Sequence, residues 1–277
     1  MPSFDLISDL HLDFWIRPTW NPFSSAHKLQ RMLAAIVPAA PSDVLVIAGD
    51  LGHDNKQNAR FVRRLAEVYS HIVVVLGNHD YYVQTAAQRS AYRLRSELRV
   101  AEMKKLLERI PNVSLLDGDC VKVDGVTYGG CSMWYDFQYG IQVLNRHYRQ
   151  LYEHWMRRSN DARFVLGSAP GWLEELVREQ KRKLRSVVGQ ADVIVTHVAP
   201  DWSVVPEGRE LEPETSCYFF DGKPYYADAA GKVWCYGHVH RRSDYARHGC
   251  RFVNGALGYP AEANGAVKPA MRIVFGE

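Results

Sequence analysis

Five short apolar runs along the chain each stop at polar residues that can bind a metal ion. The runs are short and rich in β-branched side chains, which is typical of buried strands. They cover residues 4–7, 44–48, 72–76, 193–195 and 233–236. The polar residues that follow them are Asp9 and His11, Asp50, Asn78 with His79 and Asp80, His197, and His238 with His240. The pattern predicts a sheet that builds a metal site from its strand ends.

The segments between these runs predict a parallel sheet followed by a second sheet. Helical patterns at residues 26–37, 58–69 and 85–110 form strand–helix–strand connections, which favour parallel pairing. Short strands are then predicted at 113–116, 120–123 and 126–128, with Asp-Gly turn signals between them. This hairpin-like segment predicts that a second sheet begins here. Further short strands are predicted at 244–246, 251–253 and 271–275.

Two segments of the second half differ from this alternation. Residues 134–190 are rich in Tyr, Trp and Arg, and we interpret them as an insertion with helices at 141–158 and 171–188. Residues 201–231 have little periodicity and several Pro and Gly residues, which predicts a long loop of the kind that is commonly functional. Because the five ligand-bearing segments must meet in space, we interpret residues 1–277 as one domain.

Composition excludes several classes of protein. Apolar residues at 47% and charged residues at 23% are typical of a folded globular chain and argue against disorder. No apolar stretch approaches the roughly 20 residues that cross a bilayer, and the first residues lack the pattern of a signal peptide. We therefore expect a cytoplasmic protein with no membrane partner. The five cysteines lack C-x-x-C spacing and predict reduced thiols.

The polar residues at the strand ends suit metal binding in their spacing and type. Residues i and i+2 of an extended chain point to the same side, so Asp9 can act with His11, and His238 with His240. Asp50 follows a fully apolar strand, where a cation would offset the cost of burying a carboxylate. Imidazole, carboxylate and amide ligands suit Mn, Fe or Zn better than Ca or Mg alone. The seven candidates are about right for two divalent ions that share a carboxylate.

Each motif alone also occurs for structural reasons, but their joint order resembles a known family. The series Asp9-x-His11, Gly49-Asp50, Gly77-Asn78-His79-Asp80, Thr196-His197 and Gly237-His238-x-His240 resembles the complete signature of the calcineurin-like metallophosphoesterase superfamily. Residues 132–136 and 254–262 resemble a bacterial and phage branch of it. The resemblance implies an α/β fold, a four-layer αββα sandwich of two mixed β-sheets flanked by helices.

The resemblance also implies a dinuclear site and a hydrolytic mechanism. By match to the motif, the first metal ion is held by Asp9, His11 and His240, the second by Asn78, His197 and His238, and Asp50 bridges them. Two ions about 3.5–4 Å apart activate a bridging hydroxide that attacks phosphorus, so no Ser or Cys nucleophile is required.

His79 and Asp80 are the residues of this motif that the two-ion ligand set leaves out. In the family the histidine at the position of His79 contacts the phosphate and assists the leaving group. Asp80 either orients the His79 ring or caps a helix. We predict catalytic roles for both residues.

Departures from the family patterns narrow the substrate class. Protein serine/threonine phosphatases carry an arginine in G-D-x-x-D-R-G, whereas residues 49–55 read G-D-L-G-H-D-N. This difference speaks against a protein phosphatase and favours a small phosphodiester or nucleotide-type ester. His53 and Arg241 are candidate substrate-binding residues, with a loop cap and a solvated surface charge as their alternatives. The aromatic residues near the motifs either stack a nucleobase or, as we prefer, fill the core.

Two other functions remain open at this stage. One is a nuclease of the same fold, which the basic residues of the predicted helices at 85–110 and 171–188 permit, although the net charge of +3 is too small to imply nucleic-acid binding by itself. The other is a silent scaffold that has lost catalysis, which the presence of all seven candidate ligands disfavours.

Overall fold

Two β-sheets lie face to face between helices and form the framework of the protein. The structure is a computed structural model that describes residues 2–16, 22–167 and 171–275. The strands are β1 (Ser3–Ile7), β2 (Val44–Ala48), β3 (His71–Val75), β4 (Val113–Leu115), β5 (Asp119–Val123), β6 (Val126–Gly130), β7 (Val193–Val195), β8 (Val233–Tyr236), β9 (Ser243–Arg247), β10 (Cys250–Asn254) and β11 (Met271–Val274). Each lies within two residues of a strand that the apolar pattern predicts.

Both sheets are mixed. The first has the order β11-β1-β2-β3-β4, and β11 alone of these strands runs antiparallel to its neighbour. The second has the order β5-β6-β7-β8-β10-β9, with antiparallel pairs at its two edges and parallel pairs between them. The second sheet begins at β5, whereas the sequence predicted that it begins with the strand at 113–116. That predicted strand is β4, which belongs to the first sheet because the helical connection after β3 places it parallel to β3.

Helices cover the outer faces of the two sheets. The α-helices are α1 (Leu12–Trp15), α2 (Pro22–Ile36), α3 (Asn55–Leu65), α4 (Ala86–Ala91), α5 (Ser96–Leu107), α6 (Gln138–Gln142), α7 (Tyr148–Arg158), α8 (Asn160–Phe164), α9 (Trp172–Val188) and α10 (Tyr226–Ala229). Short 3₁₀ helices lie at Asn78–Tyr81, Trp202–Val204, Pro213–Cys217 and Lys223–Tyr225. The last three, with α10, occupy the predicted long loop at 201–231.

Three buried apolar clusters account for the layers. In β2, Val44, Val46 and Ala48 face the second sheet, and Leu45 and Ile47 face the helices of the first. This alternation explains the wholly apolar strands, since both faces of such a strand are buried. A third cluster lies between the second sheet and α7 and α9. The predicted α/β sandwich of two mixed sheets flanked by helices is therefore confirmed.

Two long predicted helices are interrupted. The helix predicted at 85–110 is divided between α4 and α5, because Arg93 and Leu94 have left-handed backbone with φ of 51° and 57°. Two hydrogen bonds join Ser96 to Leu166. The Ser96 N–H donates to the Leu166 carbonyl at 3.0 Å, and the Leu166 N–H donates to the Ser96 hydroxyl at 2.9 Å. Tertiary contacts thus override helix propensity here. The helix predicted at 141–158 is likewise divided between α6 and α7, with Asn145 at φ 50°.

Other expectations about the whole chain have mixed outcomes. All five cysteines are free thiols, as predicted. None of the described helices is both long and apolar enough to pass through a bilayer. The cytoplasmic location, the single domain over residues 1–277 and the insertion at 134–190 stay predictions. Residues 1, 17–21, 168–170 and 276–277 of those segments lie outside the described part of the chain.

Candidate metal centre

The carboxyl ends of β1, β2, β3, β7 and β8 bring their polar residues together at one edge of the two sheets. Asp50 lies at the centre, with its Oδ2 at 3.4 Å from His197 Nε2 and 3.7 Å from His11 Nε2. Asn78 Oδ1 lies 3.0 Å from His197 Nε2 and 3.1 Å from His238 Nδ1. The cluster therefore combines side chains from both sheets.

Two sets of side chains flank the Asp50 carboxylate. On one side, His240 Nε2 lies 3.0 Å from His11 Nε2 and 3.4 Å from Asp9 Oδ1. On the other side are His197 and His238. Asp9, His11 and His240 can hold one metal ion, and Asp50, His197 and His238 can hold another. A third possible group, His11, Asp50 and His79, overlaps the first two.

The backbone of the cluster is strained. Asp9, His11, Asp50 and His238 have positive φ angles, of 53°, 40°, 56° and 65°. A side chain in this left-handed region is uncommon and costs of order 1–3 kcal/mol per residue. Such strain persists only where the surrounding structure imposes it, and it gathers at functional sites. The strand ends thus turn sharply so that their side chains point into one space.

Three glycines of the motifs, Gly49, Gly77 and Gly237, make room for side chains from other strands. A Cβ atom at Gly237 would lie 2.7 Å from Asp9 Oδ2. A Cβ atom at Gly49 would overlap the His197 ring, and a Cβ atom at Gly77 would overlap the Asp50 carboxylate. Gly49 also has φ of +90°. The sequence pattern alone does not show why glycine stands at these positions, whereas the structure shows that close approach between strands requires it.

Hydrogen bonds on the outer nitrogens orient three histidines toward the cluster. His197 Nδ1–H donates to the Ala48 carbonyl at 2.9 Å, and His238 Nε2–H donates to the Cys217 carbonyl at 2.8 Å. His240 Nδ1–H donates to the Glu262 carboxylate at 2.7 Å. In each ring the other nitrogen faces the cluster, and this arrangement is typical of histidines that bind metal ions.

Charge in the cluster is balanced by protons when no ion is bound. Burial raises the pKa of Asp9, but the hydrogen bond from His240 and the charges of His240 and His197 together outweigh burial and lower the pKa to about 2. Burial lowers the pKa of His197, but Asp50 raises it to about 9. Burial likewise lowers the pKa of His240, but Asp9 and Glu262 raise it to about 10. A divalent ion would take the place of this positive charge, so the donor set fits metal ions.

The His79 ring is connected to a carboxylate through His53. His53 Nδ1–H donates to Asp13 Oδ2 at 2.7 Å, and His53 Nε2 lies 2.9 Å from His79 Nδ1. When His53 carries its proton on Nδ1, its Nε2 accepts and His79 donates from Nδ1. The Nε2 lone pair of His79 then lies on the side of Tyr259, whose hydroxyl is 3.4 Å away. Burial places the pKa of His79 well below its ordinary value. His53, a predicted substrate-binding residue, is only 7% exposed and contacts His79.

Asp80 lies on the backbone side of the cluster. Its Oδ2 accepts hydrogen bonds from Gly77 N–H at 2.8 Å and Asp50 N–H at 3.2 Å. In the part of the chain that the structure describes, no hydrogen bond joins Asp80 to the His79 ring. Burial, with the charge of Asp50, raises the pKa of Asp80 to about 6. This position corresponds to the helix-capping alternative rather than to an orienting contact with His79.

A cavity of about 500 Å³ borders the cluster. Its lining includes Asp50, Asn78, His79 and Arg241, the second predicted substrate-binding residue, which is exposed. Arg158, Arg209 and Tyr218 also line it. Of the aromatic residues near the motifs, Trp134, Tyr135 and Phe220 are buried in the core, as the preferred interpretation predicts, whereas Tyr82, Tyr218 and Phe219 line the cavity.

Sequence reasoning did not find four residues that contact the candidate ligands or His53. Asp13 accepts from His53, Glu262 accepts from His240, and Asp161 accepts from Asn78. The Tyr259 ring stacks on His11, with centroids 4.4 Å apart. Tyr259 and Glu262 lie in the stretch 254–262 that resembles a branch of the family, which was the one available signal.

Two facing mixed sheets with metal-binding side chains at a shared edge define the class of metal-dependent phosphoesterases. The chain belongs to the calcineurin-like phosphoesterase family, whose sequence model matches residues 2–242. It is therefore a hydrolase of phosphoric esters, and its family depends on divalent metal ions.

Two individual proteins are similar to the chain over most of its length. The chain is 22% identical over 237 residues to the uncharacterized protein L509 of Acanthamoeba polyphaga mimivirus, covering 81% of this chain and 82% of that protein. Its structure is similar to that of phosphopantetheinyl hydrolase (PptH) from Mycobacterium tuberculosis, with a TM-score of 0.72 and 17% identity over 95% of this chain and 92% of that one. At this identity, the structural similarity shows the fold alone.

Proposed function

We propose that the chain is a dinuclear phosphoesterase in which Asp50 is shared by two divalent ions. The observation that carries this proposal is the position of the Asp50 carboxylate between two sets of ligands. In this assignment Asp9, His11 and His240 hold one ion, and Asn78, His197 and His238 hold the other. Mn, Fe and Zn are the ions that this mixture of donors favours.

The protein side chains around the two ions have separate tasks. When bound, the ions activate a water molecule and offset the charge of the phosphoryl oxygens. His79 contacts the phosphate or the leaving group through Nε2, because Nδ1 is held by His53. Asp13 keeps His53 in the tautomer that this arrangement requires. His53 thus acts on the substrate through His79. Asp80 instead holds the backbone N–H groups of Asp50 and Gly77, and so helps to position the Asp50 carboxylate.

The preferred substrate is a small phosphodiester or a nucleotide-type ester. The cavity of about 500 Å³ has the size of a small-molecule site, and Arg158, Arg209 and Arg241 on its wall suit an anionic substrate. Acidic side chains besides Asp50 also line this wall, but each is paired: Glu214 with His154 at 2.9 Å, Glu262 with His240 at 2.7 Å and Asp161 with Asn78 at 2.7 Å. A nucleic-acid substrate is the less favoured alternative.

Hydrolysis of bis(p-nitrophenyl) phosphate and of p-nitrophenyl phosphate tests the proposal. Turnover of the diester is expected with Mn²⁺, to be lost in EDTA and restored by adding Mn²⁺. A His79→Ala variant is expected to lose about 10²–10⁴-fold in kcat. The matched control is His27→Ala, an exposed histidine on α2, which is expected to keep full activity.

Two results would contradict parts of this proposal. Absence of turnover of any phosphate ester with any divalent ion rules out the dinuclear enzyme. Cleavage of single-stranded DNA or RNA without hydrolysis of small esters replaces the small substrate with a nucleic acid.

A further inference from the structure

A buried carboxylate of the helical segment lies directly behind Asn78. Asp161 of α8 is 4% exposed, and its Oδ1 accepts a hydrogen bond of 2.7 Å from Asn78 Nδ2. An asparagine amide has one donor end and one acceptor end, whereas an ionised carboxylate only accepts. The contact therefore directs Asn78 Oδ1 toward His197 and His238, at 3.0 and 3.1 Å.

Asp161 is itself held in place by two phenols. The Tyr82 hydroxyl donates to Oδ1, and the Tyr135 hydroxyl donates to Oδ2 at 2.5 Å. Tyr135 in turn accepts a hydrogen bond of 2.5 Å from Trp155 Nε1. Both carboxylate oxygens are thus satisfied, which is what a buried charge requires. The network extends from the 3₁₀ helix that carries Asn78 to α7 and α8.

We propose that Asp161 is a positioning residue that keeps the amide oxygen of Asn78 pointed at the metal centre. Without this acceptor the amide can rotate and present its NH₂ group, which cannot bind a cation. This role gives the segment 134–190 a function beyond packing, because that segment supplies Asp161, Tyr135 and Trp155. The inference rests on the proposed function, in which Asn78 is a metal ligand.

Reversing the polarity of the Asn78–Asp161 pair tests this role. Asn78→Asp alone sets two carboxylates against each other at the present hydrogen-bond distance. Asp161→Ala alone removes the carboxylate acceptor of the amide and leaves it the longer contact of 3.4 Å from Nδ2 to the Tyr82 hydroxyl. Each single change is expected to weaken Mn²⁺ binding by about 10–100-fold, which is the usual effect of losing the partner of a ligand. In the double variant Asn78→Asp with Asp161→Asn, the amide at position 161 donates to the carboxylate at position 78, so binding is expected to recover.

Calorimetric titration of metal-free protein with Mn²⁺ and the electron paramagnetic resonance signal of paired Mn²⁺ ions provide the readouts. Asp136→Asn is the matched control, because Asp136 is also a buried carboxylate of this segment but pairs with Lys181 at 2.7 Å. It is expected to bind two ions with unchanged affinity. Thermal melts of the metal-free variants separate loss of fold from loss of binding.

The outcomes distinguish this inference from the proposed function. Recovery of Mn²⁺ affinity in the double variant supports the positioning role, since a purely structural role of Asp161 would not be rescued by a change at Asn78. A folded double variant that binds no better than Asn78→Asp overturns it. Wild-type affinity in Asp161→Ala overturns it as well, even where the double variant does not fold. A wild-type protein that binds no Mn²⁺ overturns the proposed function instead.

Discussion

At the scale of single residues, the site depends on side chains that orient other side chains as well as on the candidate ligands themselves. His53 and Asp13 illustrate this point, since neither belongs to the proposed ligand set, yet together they determine which nitrogen of His79 carries a proton. His53 occupies a position where the sequence suggested contact with the substrate. The structure places it between Asp13 and His79, so the role that we propose for His53 is to orient the His79 ring.

Asp13→Asn tests the connection from Asp13 to His79. The amide can donate to His53 and so stabilise the wrong tautomer, and kcat is expected to fall by about 10–100-fold with little change in KM or Mn²⁺ content. Steady-state kinetics and metal analysis provide the measurement. Asp54→Asn is the control, because Asp54 caps α3 one residue after His53 and asparagine also caps helices. Unchanged kcat in Asp13→Asn would remove Asp13 from the mechanism.

At the scale of elements, the break between α4 and α5 shows a tertiary contact winning over local preference. The pattern predicts one helix over residues 85–110, but the chain turns at Arg93 and Leu94 and contacts Leu166. This turn directs α5 beneath the metal centre. Arg99 of that helix is fully buried and donates to the carbonyl oxygens of His79 at 2.7 Å and Gly52 at 2.6 Å.

The effect of Leu94→Gly on the free energy of unfolding tests whether the helix is broken at this position. Leu94 has φ of 57° and is 53% exposed, so Leu94→Gly relieves strain and is expected to leave the free energy of unfolding unchanged or about 0.5 kcal/mol higher. In a continuous helix the same change would cost about 1 kcal/mol. Leu98→Gly within α5 is the control that should show this loss. Urea denaturation measures both variants, and equal losses would contradict the break.

At the scale of the whole molecule, the metal centre joins the two sheets. Its candidate ligands come from the ends of β1, β2 and β3 on one side and of β7 and β8 on the other. Ions bound at this edge therefore connect two layers that are otherwise held by the apolar cluster between them.

Metal binding is accordingly expected to stabilise the entire fold. At a free Mn²⁺ concentration of 1,000 times Kd, one site adds about 4 kcal/mol, which corresponds to a rise in Tm of roughly 10 °C. Differential scanning calorimetry with Mn²⁺ and with EDTA measures the shift. Asp50→Asn removes the shared carboxylate and is expected to abolish most of it. A Tm that is the same in both solutions would contradict a site joining the sheets.

The strands and candidate ligands were predictable because their signals are local. An apolar run identifies β2, and the polar residue after it identifies Asp50, within a few positions of sequence. The residues that were missed depend on distant partners: Asp161 lies 83 residues from Asn78, and Asp13 lies 40 residues from His53. No periodicity links such pairs. For the same reason, the contact between Ser96 and Leu166 that divides the predicted helix 85–110 has no local signature.

The glycines at positions 49 and 77 have a consequence for recognising inactive relatives. Each leaves space for a group on another strand, His197 in one case and Asp50 in the other. An alanine at either position would displace a candidate ligand while leaving all seven candidate ligands in the sequence. Motifs that are separate in the sequence thus pack directly against each other in the structure. A relative that keeps every ligand but replaces one of these glycines is expected to be a silent scaffold, so an inventory of ligands does not by itself identify a working enzyme.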